Sequence, residues 1–95
     1  MKTPALTPPE LEASLQSLPF WELEAGELTR TFTFDDFRAS IAFVNRVADH
    51  AEEAGHHPDI DIRYNKVRLA LVTHDASGIT HRDFDLAAIV NGLST

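Results

Sequence analysis

A chain of 95 residues is enough for one small domain (residues 1–95), and without cysteine it has no disulfides to supplement a core of that size, so a partner subunit is expected. Its 15 acidic residues against 8 basic ones give a formal net charge of −7, which excludes charge-driven binding to nucleic acid or to an anionic membrane surface. Lys2 has no apolar run behind it and nowhere do about 18 apolar residues follow one another, so the expectation is a soluble cytoplasmic protein.

Thr7 reads as a helix cap, with Pro8 in the first turn and Glu10 closing a capping box. Leu11, Leu15 and Leu18 then recur at helical spacing until Pro19. Phe20 to Glu24 alternates as a strand, with Trp21 and Leu23 on one side, and Gly26 marks a turn. Leu28 to Phe34 alternates again, Leu28, Phe32 and Phe34 in one phase, which makes an antiparallel hairpin. The longest helix is expected over 35–54, with Asp35 and Asp36 at its positive end. Phe37, Ile41, Val44, Ala48 and Ala51 form one apolar strip, expected to pack on the sheet. Phe43 and Val47 form a second strip, available to another subunit or to a deeper core.

Gly55 stops that helix. After His56-His57-Pro58, Asp59 to Tyr64 alternates, Asn65-Lys66 separates it from Val67 to Thr73, and a second hairpin follows. A loop covers 75–78, and Thr80 with Asp83 resembles a capping box for a last helix that carries Phe84, Leu86, Ala87, Ile89 and Val90 and ends at Gly92. The order α-β-β-α-β-β-α predicts an α+β fold, helices covering an antiparallel sheet.

Histidine both gives and takes a proton near neutral pH, so a cluster of imidazoles suits acid and base catalysis. His50 and His81 read as solvated residues. A His-His-Pro turn is poor helix or strand chemistry, so His56 and His57 invite a functional reading, and His74 joins them if the hairpin carries it back to the same place. Zinc is the competing use of three His with Glu52 nearby, but with no Cys and no His-Glu-x-x-His it ranks below proton transfer. Ser40, Thr73 and Ser77 lack the setting of a nucleophile elbow, and no Gly-rich phosphate loop is present. Trp21 and Tyr64 read as packing aromatics.

An acidic residue ahead of His-His-Pro, then an aromatic, a further His and a closing Asp are here Glu52, His56-His57-Pro58, Tyr64, His74 and Asp83. With Tyr64-Asn65-Lys66-Val67, Thr73-His74-Asp75, Trp21, Phe34-Asp35-Asp36-Phe37 and Phe43, this pattern resembles the pterin-4a-carbinolamine dehydratase family over nearly the whole chain. The chain departs from that pattern at Ile60, where many members carry an aromatic, and at Phe20, where glycine is common.

The resemblance implies a four-stranded antiparallel sheet with helices on one face. It also implies a lyase that removes water from a 4a-hydroxytetrahydropterin to give a quinonoid dihydropterin, without metal or cofactor, in pterin cofactor recycling. His56, His57 and His74 would be catalytic, with His57 and His74 exchanging protons and His56 gripping the hydroxyl. The pterin would lie along His56-His57-Pro58 and Thr73-His74-Asp75-Ala76. Glu52 would orient a histidine, and Asp83 would stand behind the site as a helix cap. Family members assemble as dimers or tetramers partly through the long helix, which would use Phe43 and Val47. A non-catalytic dimerisation module on the same fold is the other reading.

Overall fold

A computed structural model describes residues 3–93. Helix α1 spans Pro8–Gln16, and both halves of the capping box form: the Thr7 hydroxyl accepts the Glu10 N–H, and the Glu10 carboxylate accepts the Thr7 N–H at 2.8 Å. That backbone bond is the main reason the Glu10 carboxyl sits below its usual range. The helix ends before Leu18, whose side chain enters the core.

Strands β1 (Glu22–Glu24) and β2 (Glu27–Thr33) form the first hairpin. The first strand is shorter than its alternation suggests because Phe20 lies at φ 72, in the left-handed region that favours glycine. Trp21 is buried beside this kink, while Leu23, expected on the same covered side, is exposed on the edge strand. Arg30 lies on the covered face between Leu28 and Phe32. Its guanidinium sits 4.1 Å from the Phe32 ring centroid and 4.9 Å from that of Phe20, and it donates to Asn91 Oδ1. The Trp21 indole N–H donates to the same oxygen at 2.6 Å. Burial lowers the Arg30 pKa.

Helix α2 (Phe37–Ala54) starts at Asp36, whose side chain accepts the Ala39 N–H at 2.8 Å. Its faces follow the expectation only in part: Ala51 is buried and Val44 packs against the core as expected, Phe37 and Ala48 do not, and the second strip takes the deeper-core option. Phe43, Val47 and Ala51 are the buried ones, with Phe43 at 4.7 Å from Phe32 and 4.9 Å from Phe34, ring centre to ring centre. Phe37 is 51% exposed and Ala48 is exposed, so Phe43 and Val47 belong to the core and cannot serve a neighbouring subunit. The reason is phase: the side chains that meet Phe32 and Phe34 are set by where β2 lies, which helical spacing does not encode.

Strands β3 (Asp59–Arg63) and β4 (Lys66–Leu71) form the second hairpin, and Arg63 pairs with Lys66. The turn is therefore Tyr64-Asn65, one residue earlier than expected. Tyr64 takes φ 54 and is 65% exposed, so it is not a packing aromatic. Asn65 clasps Phe34, its O accepting the Phe34 N–H at 2.8 Å and its Nδ2 donating to the Phe34 carbonyl at 3.0 Å.

The sheet order is β1-β2-β4-β3, antiparallel throughout, and the central β2–β4 pair joins the two hairpins. Val67, Leu69 and Leu71 of β4 meet α2 and the last helix, α3 (His81–Leu93), through Leu86, Ala87 and Val90. That helix runs through Gly92, which keeps a helical backbone and does not stop it. The expected loop between β4 and α3 is present and contains a single 3-10 turn, His74–Ala76. No helix among the described residues is long and apolar enough to cross a membrane.

Candidate active site

The end of α2 is a Schellman motif. Gly55 turns left-handed at φ 63, the Gly55 N–H donates to Glu52 O at 3.2 Å, and the His56 N–H donates to Ala51 O at 3.1 Å. Glycine meets that φ without a Cβ penalty, and the chain leaves the helix with His56 facing inward and His57 outward. On the other side, β4 ends at Leu71, and two residues on the Thr73 N–H donates to Gly78 O at 3.0 Å; this isolated bridge closes the base of the loop that carries His74. The N-terminal segment braces the outside of that loop, with the Leu6 N–H donating to Ile79 O at 2.8 Å.

Between these elements lies a cavity of about 220 Å³. His56 and His57 line it from the α2 exit, Thr73, His74 and Asp75 from the β4 exit, and Arg82 from the first turn of α3. The hairpin thus brings His74 to the same cavity as the pair at 56 and 57. Pro58 and Ala76 flank the cavity without lining it, and Val72 and Arg82 line it although nothing in the sequence singled them out.

Behind the cavity is a buried network centred on Asp83, which is fully enclosed. Asp83 Oδ1 lies 2.5 Å from His56 Nε2, and Oδ2 accepts the Thr73 hydroxyl at 2.9 Å and the Thr80 N–H at 2.9 Å. With its own proton given to Asp83, Thr73 Oγ1 accepts from Thr80 Oγ1 at 2.8 Å. Of the expected capping box only the carboxylate half forms, since the Thr80 hydroxyl accepts from the Arg82 N–H at 3.2 Å instead. An ionised Asp83 requires the hydrogen on His56 Nε2, which leaves Nδ1 as the acceptor in the neutral ring.

Glu52 pairs with His57 Nε2, not with His56, because Gly55 breaks the helical register before a four-residue step can close. That pair is exposed, so its contribution to stability is small. His74 has no hydrogen-bonding partner for its ring among the described residues and is exposed. Elsewhere, His81 pairs with Asp85 on the surface at 3.0 Å and stays apart from the cavity. Among the described residues no three His, Cys, Asp or Glu are grouped as they would be to hold a metal ion.

Three imidazoles around one small polar cavity, one of them locked by a buried carboxylate, can exchange protons with a bound molecule and hold a hydroxyl. Arg82 escaped sequence reasoning because its partner, the Gly55 carbonyl, lies 27 residues away; its place beside Asp83 was the one available signal.

Residues 4–93 match the family described as Pterin 4 alpha carbinolamine dehydratase. Two bacterial proteins whose names assign them provisionally to the pterin-4-alpha-carbinolamine dehydratases are close relatives. That of Acidobacterium capsulatum is 65% identical over 88 residues, 93% of this chain and 96% of its own length. That of Chloroflexus aurantiacus is 57% identical over 88 residues, 93% of this chain and 95% of its own. The crystal structure of a transcriptional coactivator/pterin dehydratase from Brucella melitensis superposes with a TM-score of 0.92 at 32% identity, covering 96% of this chain and 99% of the other. A pterin dehydratase-like protein identified as a RuBisCO assembly factor in the alpha-carboxysome shares the fold, with a TM-score of 0.65 at 24% identity over 78% of this chain and 86% of its own. By sequence, over nearly its full length, and by fold, this chain belongs to the pterin-4a-carbinolamine dehydratase family.

Proposed function

We propose that this chain dehydrates a 4a-hydroxytetrahydropterin to a quinonoid dihydropterin, with histidines as the acid and base, as a step in recycling a pterin cofactor in the cytoplasm. The observation that carries the proposal is the convergence of His56, His57 and His74 on one cavity. The reaction takes one proton from N5 and delivers one to the departing 4a hydroxyl, so a site with two exchangeable imidazoles and a third to hold the hydroxyl meets the demand without an added group. His57 and His74 are exposed, so each can recover its proton state from water after turnover, and they take the donor and acceptor roles. His56, buried and held by Asp83, grips the hydroxyl. The pyrimidine edge of the pterin lies against the backbone of 73–76, near His56-His57-Pro58.

The protein acts as a homo-oligomer that pairs α2 helices through the strip of exposed Phe37 and Ala42 and half-buried Ile41, which line an open groove on that helix. A non-catalytic assembly role on the same fold is the second reading, favoured by that same unpaired strip.

The test is to mix purified protein with freshly generated 4a-hydroxytetrahydropterin and follow the ultraviolet change on dehydration. Acceleration over the spontaneous rate is expected, with His74→Ala about a hundredfold slower than wild type. Normal dehydration by His74→Ala sinks the histidine scheme. No acceleration by the wild type leaves the assembly reading, and stoichiometric zinc with activity lost to a chelator would favour a metal enzyme.

A further inference from the structure

The first turn of α3 grips the exit of α2 with two adjacent residues. Asp83 holds the His56 ring. Arg82, half-buried in the cavity wall, donates from Nη2 to the Gly55 carbonyl oxygen at 2.9 Å. That carbonyl belongs to the peptide joining Gly55 to His56, and the N–H of the same peptide is already held by Ala51 O at 3.1 Å. One peptide plane is therefore fixed at both ends, from within α2 on the N–H side and from α3 on the C=O side. Carbonyls at the end of a helix have no partner inside it, and a cation there also meets the negative end of the helix dipole. A guanidinium supplies both the donor and the charge.

We infer that Arg82 is a positioning residue of the dehydration site: it sets the plane of the Gly55–His56 peptide and, through it, the angle at which the His56 and His57 rings enter the cavity. The inference rests on the dehydratase reading of that cavity. The rival role for a guanidinium in the wall is a direct grip on the pterin. Protonating and expelling the 4a hydroxyl builds positive charge on the pterin ring, which a cation aimed at the reacting atoms would oppose. A bond to the Gly55 carbonyl turns the Arg82 charge toward the helix end instead. The loss on removing Arg82 therefore falls on kcat and spares KM.

The experiment uses the full-length chain with Arg82→Ala and Arg82→Lys. Misplacing reacting groups by a fraction of an ångström to an ångström is costly, so kcat for dehydration falls about ten- to a hundredfold in Arg82→Ala while KM stays within about twofold. Millimolar guanidinium added to Arg82→Ala restores part of that loss, and Arg82→Lys, which keeps a charge and a donor, retains most of the activity. Amide hydrogen exchange gives a readout that does not depend on turnover: the His56 N–H exchanges faster in Arg82→Ala, while the Val47 N–H in the middle of α2 is unchanged. Unchanged kcat with unchanged His56 exchange overturns the inference, and so does a loss carried wholly by KM. If Arg82→Ala does not fold, Arg82→Lys with full kcat loss and an unchanged His56 amide overturns it equally. A wild-type protein inactive on the pterin defeats the dehydratase reading, and the exchange data then still decide whether Arg82 holds the turn.

Discussion

Asp83 does three things with one carboxylate: it accepts the N–H of Thr80 at the start of α3, accepts the Thr73 hydroxyl from just past the end of β4, and pairs with His56 from just past the end of α2. An amide in its place offers one acceptor oxygen where two are used and turns a donor toward groups that already donate. Asp83→Asn is therefore expected to cost about 1–3 kcal/mol in unfolding free energy, measured by urea titration. Dehydration should fall about 10- to 100-fold because the His56 ring is no longer held in one tautomer. A variant unchanged in both would remove Asp83 from the site. At this scale the His56-His57 pair drew a functional reading from the chain alone, because a His-His-Pro turn is poor helix or strand chemistry, while the place of His74 beside them needed the folded chain. Arg82 was not, because its partner lies far upstream in the sequence. Asp83 was half readable: spacing from Thr80 identifies a cap, and only the folded chain brings Thr73 and His56 to the same carboxylate. Phe20 is a further case, in which a departure from the family pattern at a glycine position coincides with a backbone at φ 72.

At the scale of elements, helix and strand order followed from periodicity and capping residues, and the errors cluster where a non-local neighbour decides. The wide apolar arc of α2 was evident, but spacing alone cannot say which of its two strips meets Phe32 and Phe34. The hairpin turn moved by one residue because the pairing of Arg63 with Lys66 and the clasp of Asn65 on Phe34 outweigh the preference for an asparagine-led turn. The corrected faces of α2 make a paired expectation. Phe43→Ala opens a hole between Phe32 and Phe34 and should destabilise the fold by about 3–5 kcal/mol in a denaturant melt. Phe37→Glu, on the exposed strip, should leave the stability of the monomer within about 0.5 kcal/mol. It should also lower the mass seen by light scattering to that of a single chain. Unaltered mass in Phe37→Glu would move the subunit contact off this strip.

At the scale of the whole molecule, the antiparallel pairing of β3 with β4, which sets Asp59 opposite Ala70, is what places the ends of α2 and β4 side by side, and α3 closes the space between them. The cavity walls thus come from three elements that are separate in the chain, with the N-terminal segment bracing one of them at Ile79. A small molecule seated there touches all three and cannot stay bound once any one of them leaves. Its binding energy is then added to the stability of the entire fold: at a hundredfold its Kd such a ligand contributes about 2.7 kcal/mol. For a domain of this size that is a rise of roughly 10 °C or more in Tm. Stable pterins that do not react can accordingly be ranked by thermal shift, which identifies the ring substituents this chain prefers without handling the short-lived hydroxylated compound.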